Sequence, residues 1–473
     1  MTECTPTTFE FPGFNARKVT ASFDGGAISS DGGGLLLGQV EQITGIIRQF
    51  ADCFVDHRNP RLIEHTLYQL VAQRIYGLAL GYEDLNDHDR LRVDPLLAML
   101  VGKTDPTGRN RKDEKDRGKA LAGKSTLNRL ELTPVGADAT HRYKKITVNR
   151  TAVQNLFTDL FLQAHKTPPK RIVLDLDATD DPIHGEQSGR FFHGYYGNYC
   201  YMPLYIFCGE HLLCAKLRGS NIDASAGSVK ELDRIVSQVR RQWPTVKIVV
   251  RGDSGFCRET IMAWCEAQGV DYVLGLAQNA RLRKELQENM AKAKAAYEQT
   301  QKAAREFKDF TYKTLETWSR SRRVIGKAEY LRQGENPRFV VTSLSADEFD
   351  AKTLYEVEYC GRGEMENRIK EQQLCLFADR TSAATMRANE LRLWFSSVAY
   401  TLMVALRQWG LANTELAKAR CDTIRLKLLK IGTLVRVTVR RIWLSLASGY
   451  PYRTIFEQAF ETLRRQCPIP QRC

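Results

Sequence analysis

The sequence predicts an α/β protein built on a mixed sheet with helices on its faces. Between Arg171 and Ala277 the hydrophobic pattern changes between strand and helix periods in the order β-β-β-α-β-α-β. Two of these strands end in an aspartate, and helical periodicity dominates the regions on either side. With 473 residues, of which 43% are hydrophobic, the chain is long enough for about three domains, each with its own core.

Residues 1–150 are predicted to form a mainly helical N-terminal region. The segment Arg61–Leu80 places apolar side chains three and four positions apart, which is the spacing of an amphipathic helix. Asp94-Pro95 indicates the start of another helix, because aspartate caps helices and proline fits their first turn. The mixed charges and glycines of Lys103–Lys119 are typical of an exposed connection.

Residues 165–280 are predicted to form the first part of the sheet core. The expected strands are Arg171–Asp177, Tyr199–Cys208, His211–Arg218, Val246–Asp253 and Asp271–Ala277, and the expected helices are Ser228–Trp243 and Arg258–Gln268.

The remaining residues divide into three predicted parts. Residues 281–350 form an insertion, with a polar helix at Arg281–Phe307 and then strands at Phe310–Trp318, Arg323–Leu331 and Arg338–Leu344. Residues 351–380 form a core helix, and residues 381–473 form a C-terminal helical region that begins with a long apolar helix. Within that region the basic and apolar segment Leu426–Leu446 fits either a helix or strands.

The two strands that end in aspartate predict a site at one edge of the sheet. Alternation puts Asp175 and Asp177 on the same face, so either side chain could point into the site. Asp253 follows Gly252, where the backbone can be approached closely, and it leaves the carboxyl end of its strand, a usual position for ligands. Neighbouring buried carboxylates cannot both stay charged at low cost, and a divalent cation removes that conflict.

The core helix supplies a third carboxylate. At about 100° per residue, Glu366 falls on the face of Tyr359 and Arg362, whereas Glu364 does not. Lys370 also lies on that face, so Arg362 and Lys370 are placed to meet phosphate, and Tyr359 to stack or to donate a hydrogen bond. Oxygen ligands without a thiolate or imidazole cluster favour Mg²⁺, for which Mn²⁺ can substitute. A two-metal site of this kind activates water or a 3′-hydroxyl.

Taken together, these residues resemble the DDE transposases of bacterial insertion sequences, in the group with a Tyr-x2-Arg-x3-Glu helix and a β-strand insertion before the glutamate. Three further stretches resemble one subgroup: Ser29–Gly34, Gly81–Asn86 and Arg251–Phe256. The resemblance spans nearly the whole chain. It implies a ribonuclease H-like mixed-sheet catalytic core with a β-rich insertion and helical N- and C-terminal regions.

The resemblance also assigns roles by position. The family's Asp-x-Thr pattern matches Asp177-Ala-Thr179, so Asp177 would be the first catalytic aspartate and metal ligand, with Asp175 as the alternative. Asp253 and Glu366 would be the second and third catalytic metal ligands.

One departure concerns the lysine that the family often has seven residues after the glutamate. This chain has Gln373 at that position, and Lys370, one turn earlier, could serve instead.

The resemblance implies an enzyme that cuts at the terminal inverted repeats of an insertion sequence and joins the 3′-OH ends to target DNA. It would use Mg²⁺ and act on double-stranded DNA as a homodimer in the synaptic complex, with residues 1–150 serving DNA binding or oligomerisation. The alternative is a catalytically inactive DNA-binding protein derived from such an enzyme. A binding protein has no reason to retain three costly acidic groups, which favours the enzyme.

A second motif lies in the N-terminal region. Gly118, Gly123, Lys124 and Ser125 satisfy the pattern of a phosphate-binding P-loop, but the charged residues before it cannot form the buried strand that a P-loop follows. The stretch resembles instead the turn and second helix of a helix-turn-helix, in which Asn128 and Arg129 would contact DNA. A capped surface helix without DNA contact is the alternative.

Composition agrees with a DNA partner. The net charge of +14 and the pI of about 9.2 favour a polyanion, although a basic enzyme without such a partner would have the same charge. The twelve cysteines are scattered without a CxxC pair, so reduced thiols are expected. No segment has the pattern of a signal peptide or a membrane span. Together with the resemblance, this predicts a cytoplasmic, nucleoid-associated bacterial protein.

Overall fold

The computed structural model describes residues 7–12 and 17–466. The chain divides into two compact units. Unit 1 contains residues 1–148 and 398–473, and unit 2 contains residues 149–397. Unit 2 carries Asp177, Asp253 and Glu366, whereas Asn128 and Arg129 belong to unit 1.

The helices of the described residues are numbered in chain order. They are α1 Gly34–Thr44, α2 Ile46–Ala51, α3 Leu67–Ala79, α4 Asp87–Leu91, α5 Pro95–Leu100, α6 Lys124–Glu131, α7 Arg150–Gln163, α8 Ser228–Gln242, α9 Glu259–Gln268, α10 Ala280–Glu285, α11 Gln287–Thr300, α12 Ala351–Thr353, α13 Gly363–Lys370, α14 Met386–Ala405, α15 Cys421–Ile424 and α16 Arg453–Gln466. Short 3₁₀ turns lie at Pro60–Leu62, Glu114–Asp116, Ser254–Phe256 and Cys360–Arg362, and π-helical turns at Leu354–Tyr359, Glu371–Cys375, Leu406–Gly410 and Arg425–Leu429.

The strands are numbered in the same way. They are β1 Thr8–Phe11, β2 Val19–Ser22, β3 Ile28–Ser29, β4 Phe54–Asp56, β5 Ile146–Val148, β6 Arg171–Ala178, β7 Asp181–Pro182, β8 Phe191–His193, β9 Asn198–Tyr201, β10 Leu204–Cys208, β11 His211–Lys216, β12 Lys247–Gly252, β13 Asp271–Leu276, β14 Ala304–Tyr312, β15 Arg322–Leu331, β16 Gly334–Glu335, β17 Arg338–Thr342, β18 Thr433–Val437 and β19 Ile442–Leu446.

A mixed sheet of nine strands forms the centre of unit 2, all of whose residues are described. Its strand order is β11-β10-β6-β12-β13-β17-β15-β14, and β16 pairs with β15. Strands β6, β12 and β13 are parallel neighbours, whereas the pairs β10–β6 and β13–β17 are antiparallel. The mixed α/β class predicted from the sequence is therefore confirmed.

Each face of this sheet is covered by its own apolar layer. The odd and even residues of β6 separate as alternation requires: Ile172, Leu174 and Leu176 pack in the layer formed with α7, α8 and α9. Val173 packs on the opposite face, where Leu354 and Tyr355 of the later helical segment lie. Asp175 and Asp177 share the side of Val173, so both carboxylates face that helical segment.

Most predicted elements of unit 2 are present within a few residues of their expected ends. Two of the predictions are wrong. The expected strand Tyr199–Cys208 is two strands, β9 and β10, which belong to different sheets. The expected strand Phe310–Trp318 is β14, Ala304–Tyr312, which begins inside the helix predicted to end at Phe307. The charged and alanine-rich composition of this stretch favoured helix, but pairing along the whole of β15 provides backbone hydrogen bonds that outweigh local propensity. The strands of residues 281–350 also join the central sheet, through β17 beside β13.

Glycines at the start of α1 fix the arrangement of unit 1. A Cβ atom on Gly32 would lie 1.9 Å from Thr433 Oγ1, and one on Gly33 would lie 1.9 Å from the carbonyl oxygen of Leu428. Only glycine permits such an approach. The preceding residue, Asp31, is 2% exposed and pairs with Lys430 Nζ at 2.6 Å. The stretch Ser29–Gly34 therefore packs on residues near the C-terminus.

The C-terminal part of unit 1 contains strands as well as the expected helices. The segment Leu426–Leu446, which fitted either state, forms the end of a π-helical turn and then the antiparallel pair β18–β19. Strand β3 pairs with β18 and completes a three-stranded sheet.

Two global expectations can be compared with the described residues. None of their helices is long and apolar enough to cross a membrane. The cysteines among these residues are not joined in disulfides, in agreement with the reduced thiols expected from the sequence.

Candidate active site

The register of two parallel strands brings the first two carboxylates together. Strand β12 pairs with β6 so that Gly252 lies opposite Leu176. The next residues along the two strands, Asp253 and Asp177, therefore leave the carboxyl edge of the sheet side by side. Asp253 also caps the turn that follows it, because its Oδ1 accepts a hydrogen bond from the Gly255 N–H at 2.8 Å.

Arg362 joins the third carboxylate to this edge. Its Nη1 lies 3.6 Å from Asp177 Oδ2, and its Nη2 donates to Glu366 Oε1 at 2.6 Å. Arg362 ends the 3₁₀ turn that precedes α13, and Glu366 lies one turn further along that helix. Glu364, in contrast, has a side chain that is 73% exposed and lies 3.8 Å from Arg368. The geometry thus groups Glu366 with the aspartates and leaves Glu364 outside.

The electrostatics of Asp177 reflect this grouping. The pKa of its carboxyl is raised to about 7, chiefly by burial; Arg362 opposes this rise, and the negative charges of Asp253 and Glu366 contribute to it. All three carboxylates consequently lie within electrostatic range of one another. Without Arg362 or another cation, ionising Asp177 at this edge would be still more costly.

Asp175 has a different partner. The same register sets it opposite Arg251, whose Nε and Nη2 donate to its two carboxylate oxygens at 2.5 and 2.8 Å. Burial raises the pKa of Asp175, and the charge of Arg251 opposes that rise. Since both oxygens are bound to Arg251, the geometry favours Asp177 over Asp175 as the carboxylate that faces the site.

Arg251 also holds the helical segment against the sheet. Its Nη1 donates to the carbonyl oxygen of Glu358 at 2.5 Å, and Glu358 receives two further hydrogen bonds from Arg171. A Cβ atom on Gly361 would lie 2.6 Å from Arg251 Nη1, so glycine is needed there. None of these residues was given a role from the sequence.

One signal could have revealed this anchor. Asp175 and Asp177 lie two residues apart on β6, and Arg251 and Asp253 lie two residues apart at the end of β12. Because a parallel register keeps the two strands in step, setting Asp175 opposite Arg251 as an ion pair also brings Asp177 beside Asp253 at the site.

Tyr359 lies against the backbone of the second aspartate. A Cβ atom on Gly275 of β13 would lie 2.5 Å from the Tyr359 hydroxyl and 3.0 Å from the Ser254 nitrogen. Burial raises the pKa of Tyr359, Arg362 lowers it and Asp253 raises it. Gly275, which the sequence did not single out, therefore makes room for the tyrosine next to Asp253.

Gln373 does not reach these carboxylates but contacts a neighbouring one. Its Nε2 donates to Asp181 Oδ1 at 2.8 Å and to the Asp180 carbonyl oxygen at 3.3 Å. Asp181 is fully buried, and burial raises its pKa well above the usual range. A neutral amide suits a buried carboxyl that keeps its proton. Lys370 is exposed on α13.

The predicted DNA-contacting residues of unit 1 lie on a different helix and are exposed. Asn128 and Arg129 point away from the buried Leu127 and Leu130 of α6, and Arg129 stacks over the ring of Tyr143 at 4.7 Å. The expected helix-turn-helix is wrong in one respect. The element before α6 is only the 3₁₀ turn Glu114–Asp116, so no helix stands where the first helix of the motif should be.

The donor chemistry of the site fits a hard divalent cation. Asp177 and Asp253 offer carboxylate oxygens at adjacent strand ends. The raised pKa of Asp177 shows that its negative charge is poorly compensated by its surroundings, and a bound cation would compensate it. Among the described residues, no three acidic, histidine or cysteine side chains lie close enough together to hold one ion. Glu366, bound to Arg362, would complete such a set only after releasing that arginine.

The family model described as transposase DDE domain group 1 matches residues 11–468. No curated protein matches the chain.

Proposed function

The chain belongs to the transposase DDE domain group 1 family, and on this premise we propose that it cuts DNA at the terminal inverted repeats of an insertion sequence and transfers the 3′-OH ends to target DNA. The observation that carries the proposal is the convergence of Asp177, Asp253 and Glu366 around Arg362 at the carboxyl edge of β6 and β12. Three carboxylates with one arginine suit phosphoryl transfer, which needs charge stabilisation and positioning more than a protein nucleophile.

We assign the three carboxylates as metal ligands. Mg²⁺ bound there, or Mn²⁺ in its place, would act as a Lewis acid on the scissile phosphate. Asp177 and Asp253 leave adjacent strand ends, and Glu366 shares Arg362 with Asp177, which supports the assignment. The strand order, with β6 between an antiparallel hairpin and two parallel strands, supports the ribonuclease H-like core that the resemblance implies.

Arg362 is assigned two alternating partners. In the described geometry it neutralises Asp177 and Glu366. When a DNA phosphate enters, the guanidinium can bind it through two N–H groups, and Glu366 is then free to bind the cation. Tyr359, held beside Asp253, is positioned to hydrogen-bond the same strand, and the exposed Lys370 to meet a neighbouring phosphate.

The other partners follow from the same proposal. Double-stranded DNA is the substrate, in agreement with the basic charge of the chain. Pairing of two element ends calls for a homodimer in the synaptic complex. Asn128 and Arg129, exposed on α6, are proposed to contact DNA.

Strand cleavage tests the assignment directly. The full chain is incubated with Mg²⁺ and a duplex that carries the inverted repeats flanking its gene, alongside Asp177→Asn, Asp253→Asn and Glu366→Gln. Each substitution should lower the cleavage rate by at least about a hundredfold, because a lost ligand removes several kcal/mol of transition-state stabilisation. Glu364→Gln, two residues from Glu366 and outside the site, is the matched control and should keep the parental rate.

Two outcomes would change the proposal. Parental cleavage by any one of the three variants removes that residue from the metal site. If the parent binds the duplex but does not cleave it with Mg²⁺ or Mn²⁺, the catalytically inactive DNA-binding derivative becomes the better description.

A further inference from the structure

An aromatic hairpin lies close to the strand that carries Asp177. Strands β8 and β9 pair antiparallel, with Phe192 opposite Tyr199, and residues 194–197 form the turn. Three of its rings are strongly exposed: Tyr195 at 86%, Phe192 at 58% and Tyr199 at 47%. Such a concentration of large exposed rings on one short element is typical of a binding surface.

The rings are already held in place. Phe192 and Tyr199 meet edge to face with centroids 5.6 Å apart, and Tyr195 meets Tyr196 in the same way at 5.1 Å. The Arg190 guanidinium stacks over Tyr199 at 4.6 Å. Residues 187–201 contain no acidic side chain. Arg190 Nη2 pairs at 2.5 Å with Glu186, whose side chain is 91% exposed, so a phosphate that binds Arg190 would replace that carboxylate.

The hairpin is bound to the chain just beyond Asp177. Asn198 Nδ2 donates to Asp180 Oδ2 at 3.3 Å, and Asp181 pairs with Tyr201 across β7 and β9. Asp180 follows Asp177 by three residues, which span at most about 11 Å. The pKa of Tyr196 is raised to about 12, chiefly by burial and also by the charges of Asp180 and Asp177, so this ring is within electrostatic range of the site.

We propose that the hairpin is a stacking platform for unpaired bases of the DNA strand held at the carboxylates. Aromatic faces bind bases of any sequence by stacking, and an arginine among them meets the phosphates. A second copy of this chain would be a less suitable partner, because Arg190 and the adjacent catalytic edge both match nucleic acid. The inference rests on the proposed function: it names locally single-stranded DNA as the form of substrate at this site.

Binding to single-stranded DNA tests the platform. The probe is a fluorescein-labelled oligothymidylate of about ten nucleotides, titrated with the full chain in Ca²⁺. Tyr195→Ala and Phe192→Ala should each weaken binding by about 5- to 100-fold. Tyr195→Phe, which keeps the ring, should bind like the parent, and so should Phe23→Ala, which removes a ring that is 94% exposed in unit 1. Equal thermal midpoints for all variants exclude unfolding as the cause.

Further measurements separate this proposal from the proposed catalysis. Asp177→Asn should lose cleavage, and in that background Tyr195→Ala should still weaken oligonucleotide binding. If the parent does not cleave and oligonucleotide binding still depends on Tyr195, catalysis fails and the platform stands. If the parent cleaves and Tyr195→Ala binds the oligonucleotide like the parent, the platform is wrong. A changed oligomeric state of Tyr195→Ala in sedimentation, with unchanged oligonucleotide binding, would assign the hairpin to a second copy instead.

Discussion

At the scale of single residues, Asp177 is a proposed metal ligand whose surroundings disfavour its charged form. Its side chain is 17% exposed, and its pKa rises from 3.8 to about 7, chiefly because burial disfavours the charged form. Arg362 compensates only in part at 3.6 Å. At neutral pH, Asp177 therefore lowers the free energy of unfolding of the metal-free protein, as expected of a group placed for binding rather than for stability.

The first prediction uses the sign of this shift. Below pH 3.8 the folded and unfolded forms of Asp177 are both protonated and the group costs nothing. Between that pH and about 7 only the unfolded form ionises, so stability falls as pH rises, and above about 7 the full penalty of at most about 4 kcal/mol remains. In EDTA, Asp177→Asn should thus melt above the parent by the most at pH 8, by less at pH 6 and by the least at pH 5, where about 1.6 kcal/mol of the penalty remains.

Thermal melts at these three pH values check the prediction, with Glu364→Gln as an exposed acidic control. A constant difference between Asp177→Asn and the parent at all three values would contradict the raised pKa.

Gly275 provides the second prediction. Its added Cβ would lie 2.5 Å from the Tyr359 hydroxyl and 3.2 Å from the Asp253 carbonyl carbon. We expect Gly275→Ala to lower stability by about 1–3 kcal/mol, as overpacking does, and to reduce strand cleavage because Tyr359 moves.

A double-mutant cycle isolates the tyrosine contact. Tyr359→Phe removes the hydroxyl alone, so Gly275→Ala should cost less in that background than in the parent. Equal costs in the two backgrounds would show that the hydroxyl is not the obstacle.

At the scale of secondary-structure elements, Arg251 connects strand β12 with the helical segment that carries Glu366. It is bound to Asp175 on β6 and to the carbonyl oxygen of Glu358. Since Asp175 is 4% exposed, removing its partner leaves an uncompensated buried charge.

The third prediction is that Arg251→Met destabilises the protein by about 3–5 kcal/mol. The double variant Asp175→Leu/Arg251→Met removes both charges and should recover most of that loss, as measured by thermal midpoints. Strand cleavage should recover less than stability, because the Glu358 carbonyl still lacks its donor and, of these hydrogen bonds, the segment keeps only those from Arg171. Cleavage and stability recovering together would reduce Arg251 to a purely structural ion pair.

The sequence predicted where the strands of this region lie better than how they pair with one another. The strand periodicity around Asp177 and Asp253 was sufficient to locate β6 and β12, since periodicity is a local property. The register that pairs Asp175 with Arg251 depends on hydrogen bonds between distant segments, and local patterns do not contain it.

The helical wheel grouped Glu366 with Arg362 although the segment is not a regular helix. A π-helical turn ends at Tyr359 and a 3₁₀ turn covers Cys360–Arg362. The interval from Arg362 to Glu366 is nevertheless one helical turn, so the grouping of those two residues survives. Gln373, beyond this interval, contacts Asp181, a buried partner that no spacing rule could have named.

At the scale of the whole molecule, unit 1 is assembled from both ends of the chain, while unit 2 is continuous. The sequence treated residues 1–150 and 381–473 separately, because nothing in a local pattern indicates that Ser29–Gly34 will pack on residues 428–433. Gly33 N–H donates to the Leu429 carbonyl oxygen at 3.1 Å, and Gly32 N–H to that of Ile431 at 2.9 Å. These bonds leave no space for side chains at the two glycines.

The fourth prediction follows from this assembly. A methyl group on Gly33 would meet backbone atoms of Leu428 and Leu429 at 1.9 and 2.6 Å, and backbone cannot rotate aside as a side chain can. Gly33→Ala should therefore disrupt the contact between the two ends of unit 1. In hydrogen exchange, β3, α1 and β18 should lose protection together, whereas β6 and β12 in unit 2 should keep it.

Gly432 is the matched control for this experiment. It lies in the same contact region, has open space where a Cβ atom would stand, and should tolerate alanine with unchanged exchange. If β6 and β12 lost protection along with β18 in Gly33→Ala, the two units would unfold as one cooperative body. If β18 lost protection and α1 kept it, the two ends of the chain would contribute separately to the stability of unit 1. Joint loss in unit 1 alone is the result that the glycine contacts require, since the same backbone bonds hold both ends.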